Sequence, residues 1–99
     1  VDGKVTYRGP LVRDVLGRLA LDRAEKVRFL AANDYYIDIP INDFLTYDVI
    51  LAMEADGHRL SLRDMGPLWL MYPISANPEL RSPIYIPRLI WQLVRIETL

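Results

Sequence analysis

The residues best suited to chemistry cluster near the C-terminal end of this 99-residue sequence. Trp69 and Trp91, its two tryptophans, stand on either side of a segment, 73–87, that is rich in proline and holds Arg81, with Arg88 just beyond it. An indole offers a flat apolar face and a single N–H, and a guanidinium offers a fork of donors for an anion. In that pattern the tryptophans make a stacking wall for a flat ring or an apolar patch for a partner. Arg81 and Arg88 make anion contacts at the mouth of a cleft. Each residue also has a plainer reading: indoles packed into apolar strands, and arginines solvated on a loop.

Other reactive side chains carry weaker signals. His58 is the only histidine and follows the turn pair Asp56-Gly57. A single imidazole without clustered partners does not make a metal site or a general base. Tyr35, Tyr36 and Asp38 share one short strand, in which Tyr35 is expected to point inward and the other two outward. The acid pairs Asp34/Asp38 and Asp43/Asp48 read as turn and cap residues rather than as an acid–base couple.

Composition narrows the classes further. A net charge of −1 supplies no basic face, which argues against nucleic acid as a partner. No apolar run approaches the ~20 residues that span a bilayer. The sequence has no cysteine, so a disulfide framework, a zinc thiolate site and a cysteine nucleophile within it are excluded. The length suits one domain. The chain starts at Val1, so removal of a preceding segment, a signal peptide or part of a longer chain, is expected.

The elements that must position these residues follow from periodicity. Strands are expected at 4–7, 26–32, 35–39, 48–55, 58–62, 67–72 and 90–98. The runs 26–32 and 35–39 alternate with a period of two across the turn Asn33-Asp34 and form a hairpin, with Val27, Phe29 and Ala31 on one face. Asp56-Gly57 predicts a second hairpin. Gly9-Pro10 opens a helix whose apolar face is Leu11, Val12, Val15, Leu16 and Leu19. Gly17 within it allows close packing or marks fraying. Pro40 starts a short helical turn at 41–45. The loop 73–87 is long for a domain of this size, a property of functional or poorly ordered segments. The order is strand-rich and mixed, an α+β fold.

Four stretches occur in a telling order: "YRGPLVRDVL" (7–16), "VRFLAANDYYIDIPINDFL" (27–45), "VILAMEADGHRLSLRDMGPLWLMYP" (49–73) and "IWQLVRIE" (90–97). Together they resemble the molybdopterin-binding domain of sulfite-oxidase-type oxidoreductases, most closely the short stand-alone bacterial members described as pterin-binding. The resemblance implies a single mixed domain over 1–99 that lacks its N-terminal segment, a pterin-shaped cleft and periplasmic export. In catalytic relatives molybdenum is held by the pterin dithiolene and one cysteine, and Arg, Lys and His or Asn hold the pterin and its phosphate.

Carried over position by position, the ligand cysteine falls upstream of "YRGP" and has no counterpart here. Trp69 stands where relatives carry a cofactor-binding arginine, Asp64 where they carry His or Asn, and Trp91 where they carry lysine, or Gln92 if that strand slips by one. A phosphate wants cations and helix N-termini around it; indoles remove that attraction, and Asp64 would add repulsion of order 1 kcal/mol. Arg81 and Arg88 are the available substitutes. The expectation is therefore a binding module with no bound cofactor and no molybdenum catalysis. Its site is Asp64, Trp69, Arg81, Arg88 and Trp91, and it takes a small ring-containing or anionic ligand or a protein partner. The alternative is a fragment of an active oxidoreductase that carries molybdopterin. A third reading is a structural domain whose cleft is filled by its own side chains.

Overall fold

The alternation of 26–31 sets the largest sheet. In the computed structural model, which describes residues 5–20 and 23–98 without the side chains of Asp64 and Thr98, Val27, Phe29 and Ala31 are buried. They lie on β2 (Lys26–Ala31). β2 pairs antiparallel with β3 (Tyr36–Pro40) on one side and with β8 (Leu93–Thr98) on the other. Among the described residues the second edge of β8 is unpaired. Arg95 there bonds to Glu97.

Two further sheets come from the middle of the chain. β4 (Ile50–Ala52) pairs with β7 (Trp69–Met71). β1 (Tyr7–Arg8), β5 (Glu54–Ala55) and β6 (His58–Arg59) form a small antiparallel sheet. The expected single strand over 48–55 is thus two. The chain changes sheets at Met53, whose N–H donates to the Arg8 carbonyl and whose carbonyl accepts from the Leu60 N–H. Period-two patterning cannot register such a switch, because the residues on both sides stay extended. The Asp56-Gly57 turn forms as expected, with φ of 50° and 85°, the left-handed pair that a two-residue hairpin needs.

The helices are short. α1 (Val12–Arg18) buries Val12 and Leu16, while Leu19 at the end of its apolar stripe is exposed. α2 (Ile41–Thr46) buries Ile41 and Phe44. Phe44 meets Phe29 edge to face, with ring centroids 5.6 Å apart, at the centre of the core. Arg13, on the polar side of α1, pairs with Asp48 and donates to the Phe44 and Tyr47 carbonyls, so it ties the two helices together. Lys4, where the first strand was expected to start, lies outside the described residues.

The 73–87 loop has regular structure of its own. It folds into two short 3-10 turns, Pro78–Arg81 and Ile86–Arg88, and Leu80 of the first is fully buried in the core. Its start is fixed by Asn77, whose side-chain amide donates to the Pro73 carbonyl. The chain then returns beside β7: the Leu70 N–H donates to the Ile90 carbonyl, and Trp91 forms an isolated bridge with Trp69. Gln92 turns the chain with φ of 51°, and β8 begins. This return joins the β4–β7 pair to the β3–β2–β8 sheet.

Two glycines give opposite expectations. A Cβ on Gly9 would stand on top of the Leu51 carbonyl oxygen, whereas one on Gly17 meets nothing within 4 Å. Gly17 therefore serves no close packing. Gly9→Ala should lower stability by about 3 kcal/mol, at the upper end of overpacking costs. Gly17→Ala should raise it by about 0.5 kcal/mol through helix propensity. Urea unfolding of the two variants checks both signs.

Candidate functional site

Among the described residues one polar cluster is buried. Asp43, at 6% exposure, lies on α2. Its Oδ2 accepts from Arg88 Nη1 at 2.5 Å and from the Tyr72 hydroxyl at 2.7 Å. The guanidinium of Arg88 also lies over the Tyr85 ring, 5.1 Å from its centroid. Tyr85 touches Tyr72 and Tyr47 in turn, and the Tyr47 hydroxyl donates to Glu79. Arg88, at 18% side-chain exposure, is thus neither a solvated loop arginine nor a free cation. Its charge is matched by Asp43. Asp43, read from sequence as a turn or cap residue, is the buried anchor of the long loop. The sequence held a hint in Tyr72, which ends a buried strand and needs a partner for its hydroxyl.

The two tryptophans come together. Their rings meet at 6.3 Å and 78°, and the Trp69 Nε1–H donates to the Leu89 carbonyl. Trp69 is half-buried and also packs against Tyr7, at 5.7 Å and 70°. Trp91 is 45% exposed. Neither lies in the closed core.

The space around them is not one cleft. Trp69 and the start of the loop (Pro73, Ile74) line a hollow of about 540 Å³. Trp91, Tyr35, Ile86 and Pro87 line another of about 390 Å³. Leu89 borders both. Tyr35, expected to point inward, is instead 45% exposed, with its hydroxyl donating to the Pro87 carbonyl. Packing on the strand's inner face is taken by Ile39, and Tyr35 falls just before β3 begins.

The remaining expected site residues lie apart. Arg81 is exposed at the end of its 3-10 turn, forms no ion pair among the described residues, and lines neither of these hollows. The side chain of Asp64 lies outside the described residues. Sequence reasoning passed over a third hollow, about 340 Å³, on the far side of Trp69. It is lined by Tyr7, His58, Arg59, Arg63 and Trp69, among others. The signal was available in "GHRLSLRD", where His58, Arg59 and Arg63 fall close together in the chain before the Trp69 strand.

Among the described residues no cluster of three or more His, Asp or Glu is placed to hold a metal ion. Nor is any helix among them long and apolar enough to cross a membrane. The molybdenum cofactor that such a fold holds in catalytic relatives finds a poor match in the residues present. The 99 residues supply no thiolate, and the Trp69 N–H is spent on a backbone carbonyl. The nearby guanidinium of Arg88 is committed to a buried carboxylate.

A strand-rich α+β domain with short helices, a long anchored loop and an aromatic ridge is the class this structure defines. Residues 2–77 match the family model described as the oxidoreductase molybdopterin binding domain, and the chain belongs to that family. The matched span takes in Trp69 but stops short of Arg81, Arg88 and Trp91. A search of curated proteins finds no match.

Burial first, and the bond to Asp43 second, hold the Tyr72 phenol far above its ordinary pKa of 10. The folded chain keeps a proton that the unfolded chain releases. This contribution to stability is therefore complete below about pH 10 and is lost as pH rises beyond it. Tyr47 is shifted the same way by its bond to Glu79. Tyr72→Phe should show a shallower fall in unfolding free energy between about pH 9 and about pH 11 than the parent. Arg88→Ala should cost about 3–5 kcal/mol at neutral pH, because it leaves Asp43 buried without its counter-charge. Asp43→Asn should cost less, since an amide still accepts from Arg88 and Tyr72. Denaturant titrations of these variants measure all three.

Proposed function

We propose that this chain is a ligand-binding module of the oxidoreductase molybdopterin-binding family that has left molybdenum redox chemistry and acts in the bacterial periplasm. Export and bacterial origin rest on the resemblance to the short stand-alone members of the family. The reading that catalysis is lost rests on the Trp69–Trp91 pair. In catalytic relatives the corresponding positions carry the cations that hold a phosphorylated pterin. Here two indoles meet ring to ring at 6.3 Å. A dense anion gains little from an aromatic edge-to-face pair, and Arg88, just before Leu89 whose carbonyl holds Trp69, would have to abandon a carboxylate in a poorly hydrated position.

The same ridge suits a flat ring or an apolar partner surface. Trp69 is held by its N–H bond and by Tyr7, so it presents apolar area without losing further rotamer freedom on binding. Trp91 supplies accessible indole beside it. Arg81 stands exposed with no ion pair among the described residues and is available for a negatively charged group. Arg88 and Asp43 act as a fixed support beneath the ridge, and Asp64 belongs to the segment that leads into it.

The test is metal and pterin content. The native gene product, with whatever precedes Val1, is produced in a host that makes the molybdenum cofactor. Elemental analysis and fluorescence of oxidised pterins should then find both far below one equivalent per chain. Stoichiometric molybdenum would end this reading.

A further inference from the structure

Cations and aromatic rings also line a hollow away from Arg88. The 340 Å³ hollow is bordered by Tyr7 on β1, His58 and Arg59 on β6, Arg63 on the 3-10 turn Leu62–Asp64, and Trp69 on β7. Ala55, Leu60 and Met65 complete it. Its volume lies within the range of small-molecule sites, roughly 300–1,000 Å³.

The charges there are unspent. Among the described residues Arg13, Arg28, Arg88 and Arg95 each hold a carboxylate. Arg59 and Arg63 are exposed and form no ion pair or side-chain hydrogen bond with another described residue. Glu54 faces Arg59 across the β5–β6 ladder without forming an ion pair. It lines the neighbouring hollow beside Arg8, not this one. Asp56 is occupied by the Thr6 N–H. The described lining residues thus carry two guanidiniums and an imidazole and no carboxylate. In a chain of net charge −1, that is a local concentration of positive charge. By contrast, the 390 Å³ hollow has no charged lining residue, and the 540 Å³ hollow has only Asp48, already bonded to Arg13.

We propose that this hollow binds a planar aromatic anion: a ring laid against Trp69 and Tyr7, with a carboxylate or phosphate gripped by Arg59 and Arg63. The ring wall is pre-set, because Trp69 is fixed by its bond to Leu89 and by the Tyr7 edge. The anion end draws on forked guanidinium donors, which hold carboxylate and phosphate through paired hydrogen bonds. His58 adds a further donor when protonated. The inference rests on the reading of this domain as a binding module; it names the ligand class and moves the anion contacts away from Arg81 and Arg88.

The experiment titrates the full chain with 2-naphthoate, 2-naphthyl phosphate, neutral 2-naphthylmethanol and cationic 2-naphthylmethylammonium. Binding is read by calorimetry and by the indole N–H resonances of Trp69 and Trp91. The two anions should bind more tightly than the neutral and cationic rings, weaken with added salt, and shift the Trp69 resonance. The better of the two identifies the anionic group. Arg59→Ala with Arg63→Ala should weaken the anions by roughly tenfold or more while leaving thermal unfolding unchanged, since both side chains are exposed. Equal binding of all four rings, or anion binding untouched by the double substitution, would overturn this site while leaving a binding module elsewhere on the ridge. No binding of any probe by the intact chain would overturn the site and the binding-module reading together.

Discussion

A single carboxylate organises the second half of this domain. Asp43 on α2 has almost no access to water and receives both the Arg88 guanidinium and the Tyr72 hydroxyl. A buried anion of this kind is tolerable only while its partners stay in place. The pair therefore fixes the end of the long loop against α2 and the end of β7. With Arg88 held, Leu89 and Ile90 lie along β7, the Trp69 N–H finds the Leu89 carbonyl, and Trp91 arrives beside Trp69. The aromatic ridge is a downstream result of an ion pair on the other side of the strand.

That dependence explains why part of the structure was legible in the sequence and part was not. The β2–β3 hairpin, the Asp56-Gly57 turn and the α1 stripe are local: their patterns are set within a few residues, and each formed where periodicity placed it. Three of the four stretches that carry the resemblance fall within the family match over 2–77, and the fourth, 90–97, lies beyond it. What sequence could not give was set by distant partners. Asp43 and Arg88 are 45 positions apart, and nothing in either neighbourhood names the other. The change of sheet at Met53 depends on carbonyls and amides from β1 and from Leu60. Tyr35 turned outward because its hydroxyl found Pro87, 52 positions along. The order within the loop was not legible because Leu80, which is fully buried, is one apolar residue among many in the sequence.

Family membership describes the fold, and the side chains set the local chemistry on it. The fold is that of the oxidoreductase molybdopterin-binding domain. The chemistry lives in side chains grafted on that fold. Around Trp69 the charge is uneven: Arg88 is neutralised by Asp43, while Arg59 and Arg63 form no ion pair among the described residues.

The open side of β8 bears on how the molecule behaves in a crowd. An unpaired strand is a template onto which a neighbour's backbone adds, and proteins blunt such borders with charge. Here Arg95 and Glu97 bond to each other across two residues of the border strand. A second chain docking there would have to break or desolvate that link. The domain thus carries its own safeguard against fibre-like self-association at the margin of its largest sheet.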